Sequence, residues 1–187
     1  MNAPRFSRRT PQALALATLC TALAACNSMA PSAFAQDALP ESVKVPAGHT
    51  VALESVGKGE ITYECRAKAD NAALTEWVFA GPKADLLDRA GKKIGNYFGP
   101  PATWTSLDGS SMTGTQLATA PAGAGNIPFQ LVKANPSGSA GALSGVSYVQ
   151  RVALQGGVAP ASECSIATKG KREAVRYQAD YIFWKAV

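Results

Sequence analysis

The chain of 187 residues contains one histidine, His49, and that scarcity removes more chemistry than any single residue adds. A Ser-His-Asp relay would hang on one imidazole in a Pro-Ala-Gly-His turn, and a cysteine-histidine metal site would lack ligands. The sequence has no Gly-x-Ser-x-Gly nucleophile elbow, no Walker loop, no calcium loop and no dinucleotide fingerprint. Helix signals are equally sparse. Ala67–Leu74 has room for one short turn or helix, and no other segment sustains a 3.6-residue period with caps. There is no internal repeat. The apolar run Ala13–Ala25 is shorter than the roughly 20 residues needed to cross a bilayer. These absences argue against the common cofactor-dependent and triad-based enzymes, and neither a cofactor nor a metal is expected.

What is present begins with an export address. Arg5, Arg8 and Arg9 precede the apolar run, and two alternative processing sites follow it. Leu23-Ala24-Ala25-Cys26 has the form of a lipobox, which makes an acylated Cys26 the first mature residue. Ala33-Phe34-Ala35 is a small-x-small site that releases a soluble chain from Gln36. Residues 1–35 are therefore read as a signal peptide, 36–48 as an extended lead-in held out of any helix by Pro40 and Pro46, and 49–187 as one all-β domain. The expected location is periplasmic, outer-membrane or extracellular, with a membrane contacted only through a lipid on Cys26.

Charge and cysteine usage follow from that division. The chain has 18 basic and 13 acidic side chains, and three of the basic ones lie in the leader, which leaves 15 against 13. The precursor's isoelectric point of about 9.1 is thus largely a property of its targeting segment, and nucleic acid is not an expected partner. Once Cys20 and Cys26 are assigned to the leader and its cleavage, Cys65 and Cys164 remain. One pair in an oxidising compartment reads as a disulfide.

Along the mature chain the hydrophobic period is two. Ile61, Tyr63 and Cys65 share one face of a strand while Thr62, Glu64 and Arg66 share the other. Val175, Tyr177, Ala179, Tyr181 and Phe183 do the same near the C-terminus. Further strands are expected at Thr50–Val56, Glu76–Ala80, Ala84–Leu87, Ile94–Phe98, Thr103–Leu107, Ile127–Lys133 and Val146–Gln155. Turns at Gly57-Lys58-Gly59, Gly81-Pro82, Asp88–Gly91, Gly99-Pro100-Pro101, Asp108-Gly109 and Gly156-Gly157 separate them. Ala118–Asn126 and Ala134–Gly145 are small-residue loops. The pattern predicts a single antiparallel β-sandwich or barrel-like domain with one disulfide and little helix.

Candidate contacts for a ligand cluster in the block from Trp77 to Ser110. Tyr97, Trp104 and Asp108 lead, with Trp77 and Arg151 next, because aromatic faces beside hydrogen-bonding loop residues suit a sugar ring or a small aromatic molecule. Competing structural readings place Trp77 and Trp104 in the core and make Asp108-Gly109 a hairpin turn. For Arg151, flanked by Val149 and Val152, the leading expectation is a solvated outer face. Lys169, Lys171, Arg172 and Arg176 are read as a charged hairpin before the last strand. Glu54, Glu64, Glu76, Asp85, Asp88 and Asp108 supply carboxylates from which a hydrolytic pair would be drawn.

Several of these blocks together carry a resemblance. They are Tyr63-x-Cys65, Trp77 with Gly81-Pro82-x-Ala84, Gly99-Pro100 ahead of Trp104 and Asp108-Gly109-Ser110, and above all Tyr148-Val149-Gln150-Arg151-Val152 followed by Gly156-Gly157-x-Ala159-Pro160 and Cys164. The chain resembles domain-of-unknown-function family 3455, found in exported bacterial and fungal proteins, from about Leu39 to Lys185. The resemblance implies an exported single domain and favours pairing of Cys65 with Cys164. It implies no reaction. Some fungal relatives bear a malate dehydrogenase label, but the glycine fingerprint and βαβ alternation of such an enzyme are missing here. Relatives often have a histidine just before the aromatic that precedes Gly-Pro, where this chain reads Asn96-Tyr97-Phe98. The expected function is a non-enzymatic envelope module binding a small molecule or glycan. A polysaccharide hydrolase using a carboxylate pair and a purely structural surface module are the alternatives.

Overall fold

The computed structural model describes Met1, residues 34–136, Gly138 and residues 140–187. The signal-peptide and lipidation readings, Cys26 included, fall outside the described residues except for Met1, Phe34 and Ala35. From Ala33 onward the chain forms one compact unit.

Eight antiparallel strands follow one another around a closed barrel: β1 (His49–Ala67), β2 (Thr75–Leu87), β3 (Lys93–Phe98), β4 (Thr103–Ser106), β5 (Ser111–Ala120), β6 (Phe129–Pro136), β7 (Val146–Gly156) and β8 (Arg172–Ala186). Closure comes from β1, which pairs with β2 along one edge and with β8 along the other. Of the two architectures the alternation allowed, the barrel is the one adopted, and it leaves no free sheet edge. Eight strands enclose an interior just wide enough for side chains, or for side chains and one small ligand.

The longest strand departs from the sequence reading. Gly57-Lys58-Gly59 does not turn; it lies inside β1, paired with Leu86, Asp85 and Ala84 of β2 and with Ala179, Gln178 and Tyr177 of β8. These glycines serve close approach rather than chain reversal. A Cβ at Gly57 would come 2.4 Å from Tyr181 Cε2, and one at Gly59 would come 2.1 Å from the Lys83 carbonyl oxygen. Gly81-Pro82 likewise continues β2, accommodated by a register shift between Thr62 and Tyr63 on β1. Strand β5 was not foreseen: Thr113, Thr115 and Thr119 favour a strand, but Gly114, Ala118 and Ala120 do not, and no apolar alternation marks the segment. Strand β6 runs on through residues read as loop. Ala67–Leu74 contains turns, and a 3-10 turn at Glu41–Val43 interrupts the extended lead-in.

Two cores result, one inside the barrel and one outside it. Inside, Ile61, Tyr97, Trp104, Met112, Val132, Val149, Tyr181 and Phe183 are all buried. Outside, Val43 and Val45 of the lead-in cover Ala120, Leu131, Val152, Ile182 and Trp184. Gln150, wholly buried, ties this strap down: its amide nitrogen donates to the Val43 carbonyl (2.7 Å) and to Gln36 Oε1, and its oxygen accepts from Trp184 Nε1 (2.9 Å). Gln36 in turn brackets both backbone groups of Val45. A polar network of this kind is tolerated at zero exposure because the Gln150 amide is bonded at both its nitrogen and its oxygen.

Candidate functional site

The two ends of the barrel interior are filled differently. Toward the end holding the β4–β5 turn, aromatic rings pack the lumen solid. Tyr97 stacks on Trp104 with centroids 4.8 Å apart, while Tyr181 and Phe183 present edges to the indole at 6.0 and 6.5 Å. Trp104 has no exposure at all. Asp108 closes this end. Its carboxylate accepts from Ser110 Oγ (2.6 Å), the Ser110 N–H and the Ala142 N–H, and Ser110 Oγ accepts from the Leu143 N–H. Those donors, the Ser110 hydroxyl first and the Ala142 amide next, hold the carboxyl far below the usual carboxylate range.

The opposite end is hollow. A cavity of about 300 Å³ opens there, with an apolar wall and a polar wall. Strands β1 to β3 and the β3–β4 turn contribute Ile61, Tyr63, Phe79, Pro82, Tyr97, Pro100 and Ala102. Across from them stand Gln116 of β5, Gln130 of β6 and Arg151 of β7, with Ile127 and Pro128 from the β5–β6 connection. Gln130 donates to Gln116 Oε1, and Gln130 is also the register partner of Arg151, so the three polar side chains form a continuous arc.

Arg151 is where the structure corrects the sequence reading. It faces the lumen, not solvent on an outer face, because Val149 points inward and Gln150 outward, which turns Arg151 in and Val152 out. Both faces of β7 are apolar-lined, so alternation alone had no means of telling in from out. Its Nη2 donates to the Pro128 carbonyl at 2.9 Å, and its Nε is buried without a hydrogen-bond partner among the described residues. No carboxylate of the described residues forms an ion pair with it.

Around the guanidinium stand four phenols, not acids. Tyr63 donates to the Gly157 carbonyl (2.8 Å), and the Tyr177 and Tyr181 hydroxyls lie 3.1 Å apart. Burial pushes the Tyr63, Tyr97, Tyr177 and Tyr181 hydroxyls above their ordinary value, and the positive charge of Arg151 pulls each part of the way back. All four therefore stay neutral at physiological pH. Among the described residues that line the cavity, Arg151 carries the one full charge.

The residues singled out from sequence are thus divided. Tyr97 and Arg151 line the cavity. Trp104 lies beneath it, screened from solvent by Tyr97, and Asp108 belongs to the closed end. Trp77 sits at the rim, half-buried, its indole N–H donating to the Ser162 carbonyl (2.9 Å). That bond and the Cys65–Cys164 disulfide hold the β7–β8 loop against β1 and β2 beside the mouth. Tyr63, Phe79, Gln116, Gln130 and Ile127 were not foreseen as site residues. Gln130 gave a misleading signal, since its strand neighbours Leu131 and Phe129 are the more apolar yet pack into the outer core. Two of the four members of the basic cluster are paired: Lys171 with Glu173, and Arg172, together with Arg66, with Glu64, whose carboxyl those two arginines draw down to about 2.

A second concavity, about 690 Å³ but open to solvent, lies on the outer face of β1, β2, β7 and β8 and is floored by Lys58, Glu60, Lys83, Asp85, Arg176 and Gln178. It is shallow, lies outside the barrel and alternates charge. The mouth cavity encloses its contents better and is the stronger candidate site.

Fold and site together define a class, an eight-stranded antiparallel barrel packed with aromatics at one end and hollow at the other. The chain belongs to the family described as protein of unknown function DUF3455, whose model matches residues 46–185. Neither the curated proteins nor the solved structures contain a match.

Proposed function

We propose that this protein is an exported, non-enzymatic binding protein that holds one small molecule in the open end of its barrel. The observation that carries the reading is the uneven filling of the lumen. Interiors of folded domains are packed nearly as densely as organic crystals, so a half-enclosed cavity of about 300 Å³ at one end, beside a tightly stacked aromatic end, is the feature to explain. Its volume suits a compact ligand rather than an oligosaccharide. Export is supported by the leader pattern of residues 1–35 and by the Cys65–Cys164 disulfide.

The test is native mass spectrometry of the unreduced protein recovered from its own host, alongside a variant that fills the cavity. Ala102 lines the mouth, and Ala102→Leu places added carbon in the ligand's space. The expected result is a discrete adduct on the wild type, released on collisional activation and absent from A102L at unchanged fold. The same spectrum reads the processed N-terminus, an acylated Cys26 or a free Gln36. Two identical apo spectra, with no small molecule shifting the NMR signals of Tyr63 or Ile127, would favour the structural-module alternative.

A further inference from the structure

We infer that the ligand is a small cyclic carboxylate, its anionic group held by Arg151 and its ring laid against the apolar wall; the inference rests on the mouth being a binding site. Arg151 stands where a charge is costly. A guanidinium turned into a barrel lumen loses hydration, and such charges are normally matched by a carboxylate. Here the Pro128 backbone carbonyl accepts from Nη2, and Nε is buried and without an acceptor among the described residues. No acid lines the cavity, and Asp180 of the neighbouring β8 is paired with Arg89 instead; what surrounds Arg151 is Gln130 on β6, Gln116 on β5, and Tyr63, Tyr97, Tyr177 and Tyr181 on β1, β3 and β8. The site is therefore cationic and lined with neutral donors, which is the complement of an anion.

The remaining chemistry narrows the class. Tyr97, Phe79 and Ile61 present flat and aliphatic surface opposite the arginine, matching a ring face more than a polyol. The Gln116–Gln130 amide pair, next to Arg151 along the polar arc, offers hydrogen bonds to an edge substituent such as a hydroxyl. A phosphate or sulfonate would satisfy the charge, but the planar fork of a guanidinium and the small cavity favour a carboxylate on a single ring.

The experiment is isothermal titration, with saturation-transfer NMR for weak binders, of benzoate, 4-hydroxybenzoate and cinnamate, each paired with its own primary amide. The proteins are wild type, R151Q and R151K. The carboxylates are expected to bind wild type on the order of tenfold to a hundredfold more tightly than their amides, the usual worth of a charge-assisted hydrogen bond. R151Q should erase that preference and R151K retain part of it. Because R151Q also loses the bond to Pro128, a pH series on wild type gives an independent reading. Carboxylate binding should weaken as pH falls through the ligand's own value of about 4 and stay flat from neutrality to pH 9, since the four phenols remain protonated there. Acids and amides binding wild type equally would overturn this inference while leaving the mouth as a binding site. Failure of every acid and every amide would overturn it together with the binding reading.

Discussion

The two ends of one barrel are built from the same strands, yet one is filled by the chain's own rings and the other is left hollow. At the closed end, Trp104, Tyr181 and Phe183 lie within ring-contact distance and Asp108 is satisfied by three protein donors. At the open end a single cation, Arg151, meets one carbonyl, and two amides bond chiefly to each other. The closed end contributes dispersion and burial, so its residues are chosen for shape. The open end gives up packing and keeps a cavity lined by polar and apolar side chains. Dense packing and open space are thereby separated along the barrel axis.

That separation is open to mutational attack. The largest contrast should come from truncating one aromatic at each end. Trp104→Ala removes a fully buried indole and should cost about 3–5 kcal/mol, whereas Phe79→Ala, half-exposed at 49 %, should cost less than about 1 kcal/mol. Denaturant midpoints under oxidising conditions would check both, and similar losses would contradict the division of labour.

Next in size is the disulfide. It closes a separation of 99 residues and fastens the β7–β8 loop at the open end. Replacing both Cys65 and Cys164 by alanine should cost about 2–4 kcal/mol. The loss of hydrogen-exchange protection should be greatest in residues 157–171 and least around Trp104. Uniform loss of protection would mean that the ends are not separable.

The smallest effect is a pH dependence at the closed end. The Asp108 carboxyl is depressed in the folded state by the Ser110 hydroxyl and the Ala142 and Ser110 amides. The folded protein therefore takes up that proton less readily than the unfolded chain. Its contribution is present in full above the unfolded value of about 3.9 and is lost as pH falls through the folded value. Asp108→Asn should lower stability at neutral pH and flatten the acid limb of the stability curve. An acid limb identical to wild type would show that the carboxylate does not fasten the turn to Ala142.

Legibility from sequence followed physical locality. Strands β3, β4 and β7 were visible almost residue for residue, because alternation and turn chemistry act over a few neighbouring positions. The glycines at 57 and 59 were misread because their role is to let Tyr181 and the Lys83 carbonyl approach, and both partners lie far away in the chain. Tyr97 and Arg151 were named as ligand contacts and do line one cavity, but Arg151 was expected to face solvent. The apolar strap of Val43 and Val45 makes the outer face of β7 as hydrophobic as its inner face. Polarity, the local clue to inside and outside, then fails. Gln130 escaped notice for the same reason, and Gln116 because β5 itself shows no apolar alternation.

By itself the amino-acid sequence determined an all-β domain, a single cysteine pair available for a disulfide and membership of the family, since each is written in short-range pattern, residue count or motif. Only the tertiary structure decided that the sheet closes on itself, that Arg151 turns inward and that one end is hollow. Closure depends on the pairing of β1 with β8, more than a hundred residues apart. The direction of each side chain depends on which face the strap covers, and no local rule carries either fact.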